Sequence, residues 1–203
     1  QIGSSVGAVD VTGQLGGGRI GALLSFRDDA LGEARDAVGR VAVGVAETVN
    51  AQTRLGLDAK GQLGGDLFTP LAGDAPVVRP AQANTGGATL DATITDASAL
   101  QASDYRLENQ GGTITLTRLS DGDQTDVSAA LGSTPGAVTV DGFRLDLSAG
   151  SIANGDRFRI EPVRAAAAQI GTATGRPEAL AAAAPVRART PVANTGSAAI
   201  TAP

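Results

Sequence analysis

The chain has 203 residues, 16 Lys and Arg against 21 Asp and Glu, a net charge of −5, no histidine and no cysteine. Those two absences exclude disulfides, thiol nucleophiles, Cys/His zinc sites and every Ser–His or Cys–His dyad, and the acidic balance argues against a surface that tracks nucleic-acid phosphates. No apolar run is long enough to span a membrane, no signal peptide is visible, and with so few aromatic residues the core must come from Val, Leu, Ile and Ala.

Gln1–Gln14 sets Val6, Val9 and Val11 among glycines and polar residues and reads as an irregular extended segment or a short strand. A glycine-rich loop, Leu15–Gly18, follows. Gly16-x-Gly18-x-x-Gly21 matches the dinucleotide fingerprint in letters. That fingerprint needs a buried apolar strand before it and a short helix leading to a parallel strand. Here the preceding segment is poorly apolar and the helix is far too long, so a joint at a helix N-terminus is the better reading.

Gly18–Arg54 contains no proline, and its apolar residues return every three or four positions. On a helical projection, Ile20, Leu23, Leu24, Leu31, Ala34, Val41, Ala42, Val45 and Val49 fall within roughly 60° of Val38. Asp29, Asp36, Arg40, Glu47 and Arg54 fall on the far side, with Asp36 and Arg40 one turn apart in the favourable acid-first order. The spacing predicts a helix over about 20–54, roughly 50 Å long. Its expected packing face is Ile20, Leu24, Leu31, Ala34, Val38, Val41, Val45 and Val49, lying flat against other helical segments. Gly32, Gly39 and Gly44 each cost about 1 kcal/mol relative to alanine and are expected to mark close helix approach or slight bends.

Leu55–Pro70 is a loop with turn signals at Lys60-Gly61 and Gly64-Gly65, from which Leu67 and Phe68 are expected to fold back onto the helices. Pro70, Pro76 and Pro80 mark a linker. Beyond it the period changes to two. Thr89–Thr95 points Leu90, Ala92 and Ile94 to one face, and Asp104–Glu108 and Thr113–Leu119 flank a hairpin turn at Asn109–Gly112. Val138–Val140 and Phe143–Leu147 flank Asp141-Gly142, whose chemistry suits a type I′ turn pairing Val140 with Phe143 and Val138 with Leu145. Arg157–Glu161 points Phe158 and Ile160 inward.

Asp121–Asp126 has calcium-loop letters but lacks the glycine and glutamate that an EF-hand places at its sixth and twelfth positions, so a solvated turn is expected. Arg164–Ala184 is alanine-rich, and Arg176-Pro177-Glu178 starts a short helix that Pro185 stops. Ala83–Ala88 (ANTGGA) is echoed by Ala193–Ala198 (ANTGSA), as though a second β-module begins there. The predicted class is α+β multidomain: a long amphipathic helix in a helical bundle or rod domain, followed by an antiparallel β-sandwich or meander domain. The expected division is a rod over 1–75, a β domain over 76–192 and a truncated β segment over 193–203. A chain that begins at Gln1 and stops within an apparent strand is expected to be an excised piece.

Gly16–Phe68 resembles the flagellar hook-associated proteins of the hook–filament junction, the FlgK family. That family's GG-x-x-G-x-L-x-x-F-R-D segment is present as Gly17, Gly18, Gly21, Leu23, Phe26, Arg27 and Asp28. Its helix ending A-x-x-x-N-x-Q is present as Ala46, Asn50 and Gln52, and its glycine-rich loop as Gly56, Asp58, Gly61, Gly64, Gly65, Asp66 and Phe68. Gly155–Phe158 with Pro162 and Arg164–Ala168 is similar to the family's later β-region. Leu67, at a position often aromatic, and Val43, an apolar residue on the polar face, depart from the pattern.

The resemblance implies a structural adaptor between flagellar hook and filament. It would self-associate in a ring or layer when full length and contact the hook protein and adjacent junction or filament proteins. Export through the flagellar secretion apparatus without a cleaved signal is implied too. Terminal helices of the family form the inner tube, and without them the piece is expected to be a monomer. No cofactor, metal, nucleic acid or membrane partner is expected. An adhesin-like β-module binding a host ligand is the alternative, which exposed aromatic clusters would support and a single Tyr105 does not. Catalysis by carboxylate pairs such as Asp28–Asp29 or Asp121–Asp123 lacks an apolar pocket to shift a pKa. Arg27, on the apolar face, reads as an ion-pair partner whose stem lies along the stripe.

Overall fold

The computed structural model describes residues 2–4 and 7–9 as backbone, residues 18 and 19, and residues 30–181. Ile20, Leu24, Arg27, the Asp28–Asp29 pair, most of the Gly16–Gly21 segment and the Ala193–Ala198 echo lie outside them. The elements are β1 (Ile2–Ser4), β2 (Gly7–Val9), α1 (Ala30–Leu55), β3 (Val77–Pro80), β4 (Thr89–Ile94), β5 (Tyr105–Gln110), β6 (Thr113–Arg118), β7 (Gln124–Asp126), α2 (Ser128–Leu131), β8 (Gly136–Val140), β9 (Phe143–Ala149), β10 (Arg157–Glu161) and α3 (Ala166–Gln169). A long helix followed by antiparallel sheets is the predicted class.

α1 runs 26 residues without proline, with Glu33 in its first turn and Arg54 in its last, each suited to the helix dipole there. Its buried positions are Gly32, Asp36, Gly39, Val43, Ala46 and Asn50, at alternating steps of four and three that define one face, with Ala42 beside them. The expected packing face is a different one. Val38, Val41 and Val45 are 59%, 64% and 44% exposed, Ala34 is exposed, and Leu31 and Val49 are half-buried. The valine row therefore does not pack within the described residues. What packs is the face judged polar, and Val43, the apolar anomaly on it, is fully buried. The physical reason is size: the neighbouring backbone comes so close that only small or hydrogen-bonding residues fit.

Two compact units are formed, one from residues 1–44 with 71–170, the other from 45–70 with, among the described residues, 171–181. Neither is one continuous stretch, unlike the division at 75. Proline-rich connections mark changes of chain direction, whereas a unit is defined by what its segments touch.

In the first unit, β1 and β2 pair as a short antiparallel hairpin. Two antiparallel sheets follow, one of five strands in the order β3-β10-β5-β6-β7 and one of three in the order β4-β9-β8. Alternation turns Leu90 and Ile94, Tyr105 and Leu107, Ile114 and Leu116, Phe143, Leu145 and Leu147, and Phe158 and Ile160 into the core. The sheets meet where the rings of Tyr105 and Phe143 lie 4.8 Å apart. The Asp141-Gly142 turn has φ of 46° and 81° and sets Val140 against Phe143 and Val138 against Leu145. Both residues of a type I′ turn need positive φ, which aspartate tolerates and glycine favours.

Two strands escape sequence reading. β3, placed in the expected linker, is an edge strand paired with β10 from Val77↔Glu161 to Pro80↔Phe158. Proline is tolerated there because an edge leaves one row of backbone groups unpaired. β7 lies within the expected Asp121–Asp126 turn, at the opposite edge.

In the second unit, Leu57 and Leu63 form a bridge around the Lys60-Gly61 turn, where Gly61 has φ of 74°. Phe68 bridges Thr172, and the Ala59 amide donates to the Glu178 carbonyl at 3.2 Å. The short helix expected after Arg176 is a single 3₁₀ turn, Pro177–Ala179.

Candidate functional site

α1 presents two chemically different surfaces, and the inner one is held by ions. A methyl group at Gly39 would overlap the Val163 carbonyl oxygen, and one at Gly32 would lie 2.9 Å from the Arg164 guanidinium. These are points of close approach as the sequence suggests, but to the chain that follows β10 rather than to another helix; at Gly44 a methyl group would meet nothing within 4 Å. Asp36, three residues before Gly39 and 3% exposed, receives both arms of Arg164, with Nε to Oδ1 and Nη2 to Oδ2 each at 3.0 Å. Such a bidentate pair fixes orientation as well as proximity.

The Arg164 Nη2 group also lies 2.7 Å from Asp104 Oδ2. The same oxygen accepts from Arg159 Nε at 2.8 Å and Nη2 at 2.6 Å. Glu161 extends the network, 3.1 Å from Arg79 and 3.8 Å from Arg164. Asp104 Oδ1, in contrast, is buried with no hydrogen-bond partner among the described residues. Burial pushes the Asp104 carboxyl up to about 6, aided by the like charge of Asp36 and opposed by Arg159 and Arg164. The Asp36 bonds hold the Arg164 guanidinium above its ordinary value despite burial. A cleft of about 300 Å³ sits over this cluster, lined by Glu33, Asp36, Ser103, Asp104, Arg159 and Arg164 among others.

In the second unit the helix is held by a neutral amide. Asn50 is fully buried; its Oδ1 accepts from the Leu67 and Phe68 amides at 3.0 and 2.9 Å, and its Nδ2 donates to the Phe68 carbonyl at 2.9 Å. One side chain thus satisfies three backbone groups that the Phe68–Thr172 bridge leaves free. This explains why Leu67 and Phe68 fold back. Asp58 organises the start of the loop by accepting from the Lys60 and Gln62 amides, both at 2.8 Å.

The outer surface is apolar. Val38, Val41 and Val45 stand exposed, and beside them Ala34, Val38, Ala167 and Ala168 line an open cleft with the stems of Arg35 and Arg164. Leu31, Ala34 and Val49 complete the described part of the expected packing row; Ile20 and Leu24 lie outside it.

Other residues singled out in the sequence serve the β-scaffold. Asp121 and Asp123 take the Arg118 guanidinium at 2.9 and 3.2 Å, and Arg118 reaches Asp141, to which the Tyr105 hydroxyl donates at 2.7 Å. In the Ala83–Ala88 segment, Asn84 Nδ2 donates to the Arg157 carbonyl while its Oδ1 accepts from the Arg157 amide, both at 2.8 Å. Thr85 and Gly86 donate their amides to Asp156. Burial pushes the Asp156 carboxyl up, but the amides of Thr85, Ala153 and Gly86 outweigh it and hold it below its ordinary value. The Ala-Asn-Thr-Gly motif is therefore a lock between the start and end of the β-region.

Asp36 and Arg164 are 128 positions apart, so no local pattern links them. The available signal was the coincidence of Gly32, Gly39 and Val43 on the face carrying Asp36.

Comparison with known proteins agrees with this arrangement. A family model described as "Flagellar hook-associated protein FlgK helical domain" matches residues 1–68, and one described as "Flagellar hook-associated protein 1, D2-like domain" matches residues 80–162. Flagellar hook-associated protein 1 of Escherichia coli (strain K12) is 34% identical over 146 residues, covering 72% of this chain and 25% of the relative. That of Salmonella typhimurium is 31% identical over 147 residues, with the same coverage of 72% and 25%. The flagellar hook junction protein FlgK from Burkholderia pseudomallei superposes with a TM-score of 0.71 at 39% identity, covering 83% of this chain and 30% of that one. The chain spans about a quarter of the length of the curated relatives it matches. It belongs to the FlgK family of flagellar hook-associated proteins.

Proposed function

We propose that this chain is part of a structural adaptor that joins hook to filament in the bacterial flagellum by subunit packing and without chemistry. The observation that carries the reading is the pairing of a locked inner face on α1 with a bare valine row on the outer one. A helix held so firmly on one side offers the other as a fixed docking rail. Val38, Val41 and Val45, with Leu31, Ala34 and Val49 and, outside the described residues, Ile20 and Leu24, receive helices contributed from outside this stretch of chain. The full-length protein then self-associates in a ring or layer between the hook protein and the adjacent junction or filament proteins, outside the cell. Export runs through the flagellar secretion apparatus without a cleaved signal. Neither nucleic acid nor membrane is a partner.

The adhesin reading finds no footing: Tyr105 is 1% exposed and packs at a tilt against Phe143, so no aromatic platform faces solvent there. The test is negative-stain imaging of cells lacking the gene. Hooks without attached filaments support the junction role; normal filaments remove it.

A further inference from the structure

The sequence contains one Asn-Gly pair, Asn154-Gly155, in the turn that leads into β10, and both residues are exposed. In such a pair the asparagine side chain is open to attack by the next backbone nitrogen, because glycine carries no side chain to shield it. Two separate structural demands bring the pair together here. Gly155 has φ of 88°, a conformation that favours glycine. Asn154 Oδ1 accepts from the Gly111 amide at 2.7 Å and so satisfies a backbone donor of the turn between β5 and β6.

That same turn occupies both groups that would react. The Gly155 amide, which would be the nucleophile, donates to the Asn109 carbonyl at 2.8 Å. The Asn154 side-chain carbonyl, which would be the electrophile, is held by Gly111. Asn109 is buried and fastens the two turns together: its Nδ2 donates to the Ile152 carbonyl at 2.7 Å and its amide to the Asp156 carbonyl at 3.1 Å. Immediately after the pair comes Asp156, whose carboxylate receives the Thr85, Gly86 and Ala153 amides. Its position depends on the length of backbone from Ala153, since the Asp156 amide donates to the Ala153 carbonyl at 3.0 Å while the Ala153 amide donates to Asp156 Oδ2 at 2.8 Å.

We infer that Asn154 is a deamidation site, kept slow by the turn between β5 and β6, whose product loosens the lock between the start and end of the β-region. When the turn opens, the Gly155 nitrogen gives up its proton to solvent and bonds to Asn154 Cγ. The Cγ–Nδ2 bond breaks, and the amide nitrogen takes up a proton and leaves as ammonia. A solvent water then opens the resulting five-membered imide at one of its two carbonyls. One opening gives aspartate with the original peptide bond; the other gives isoaspartate, with the chain running through Cγ. Nothing is oxidised or reduced, and one water replaces one ammonia. Isoaspartate lengthens the backbone by one methylene just ahead of Asp156, so the closure from Ala153 to Asp156 no longer fits and Thr85 and Gly86 lose their acceptor.

The test follows the 203-residue chain at mildly alkaline pH, native and in urea, with conversion at Asn154 read by peptide mass spectrometry and isoaspartate resolved by chromatography. The expected result is conversion at Asn154 that is at least about tenfold faster in the unfolded chain than in the native one. No conversion in the unfolded chain, or equal rates in the two states, overturns the inference. Asn109→Ala removes the fastening to Ile152 and speeds the reaction in native buffer; an unchanged rate in a variant that circular dichroism shows to be folded contradicts the guard. Hydrogen exchange of the wild-type chain reads the guard without any substitution. The Gly111 and Gly155 amides are expected to be protected, and exchange at the rate of free peptide overturns their role. In the aged chain, exchange quickens at Thr85 and Gly86 while the strand amides of β5 and β6 stay protected; isoaspartate at 154 with Thr85 and Gly86 exchanging as before overturns the loosening of the lock.

Discussion

The two faces of α1 are both helical stripes, yet they are built from opposite materials. The inner face is Gly32, Asp36, Gly39, Val43, Ala46 and Asn50, small or polar except for one valine, and buried. The outer face is a row of valines, and exposed. A hydrophobic stripe reports that a surface is destined to be covered, not that the covering comes from the same chain. A stripe of glycine, alanine and bonded polar groups reports that something already sits against it at backbone distance. Within the inner face there is a second contrast. Residues before the helix midpoint are held by the charged Asp36–Arg164 pair, and those near its end by the neutral Asn50 amide.

The comparison breaks most sharply at Gly39. Gly39→Val forces the Val163 carbonyl aside, and a loss of about 3 kcal/mol is expected in denaturant unfolding, as for an overpacked core. The same change at Gly44 has no neighbour within 4 Å to displace among the described residues. Asn50→Ala leaves three backbone groups without their partner, with an expected loss of about 2 kcal/mol. Hydrogen exchange should quicken at the Leu67 and Phe68 amides while the strand amides of β5 and β6 stay protected.

The charged lock has a pH signature. The Asp104 carboxyl titrates at about 6 in the fold, above its ordinary value. A raised acid binds its proton more tightly in the folded chain, so this group's contribution to stability is fully present below about pH 4 and is lost as pH rises through about 6. Asp156, held below its ordinary value, works in the opposite sense and withdraws stability only as pH falls through the lower carboxylate range. Between pH 7.5 and 5, therefore, the wild-type chain gains stability over Asp104→Asn by about 1 kcal/mol, allowing for solvent screening. Parallel melting curves across that range would remove Asp104 from the account.

Much of the β-region was legible because its signals are local. Alternation placed Leu90 and Ile94, and Phe143, Leu145 and Leu147, on the correct faces, and Asp141-Gly142 fixed both turn and register. The edge strands β3 and β7 were hidden because Pro76, Pro80 and the Asp121–Asp126 acids are turn and loop residues that an edge position tolerates. The candidate site was legible only in part. Asn50 stood in the motif that carries the family resemblance, but its role as a clamp on Leu67 and Phe68 required the fold. The Asp36–Arg164–Asp104 cluster joins three distant segments, and its local trace was the coincidence of Gly32, Gly39 and Val43 on the face that carries Asp36. Periodicity marked the valine row and passed over the inner face because it weighs apolarity alone, and glycine counts for nothing in that weighing.

The most direct measurement is the unfolding free energy of the Val38→Ser, Val41→Ser, Val45→Ser triple variant of this chain. With the row serving surfaces beyond the described residues, the triple variant should unfold within about 1 kcal/mol of wild type. A loss comparable to that of Gly39→Val would show that the valines are part of this chain's own core, and the division of α1 into a locked face and a docking face would be wrong.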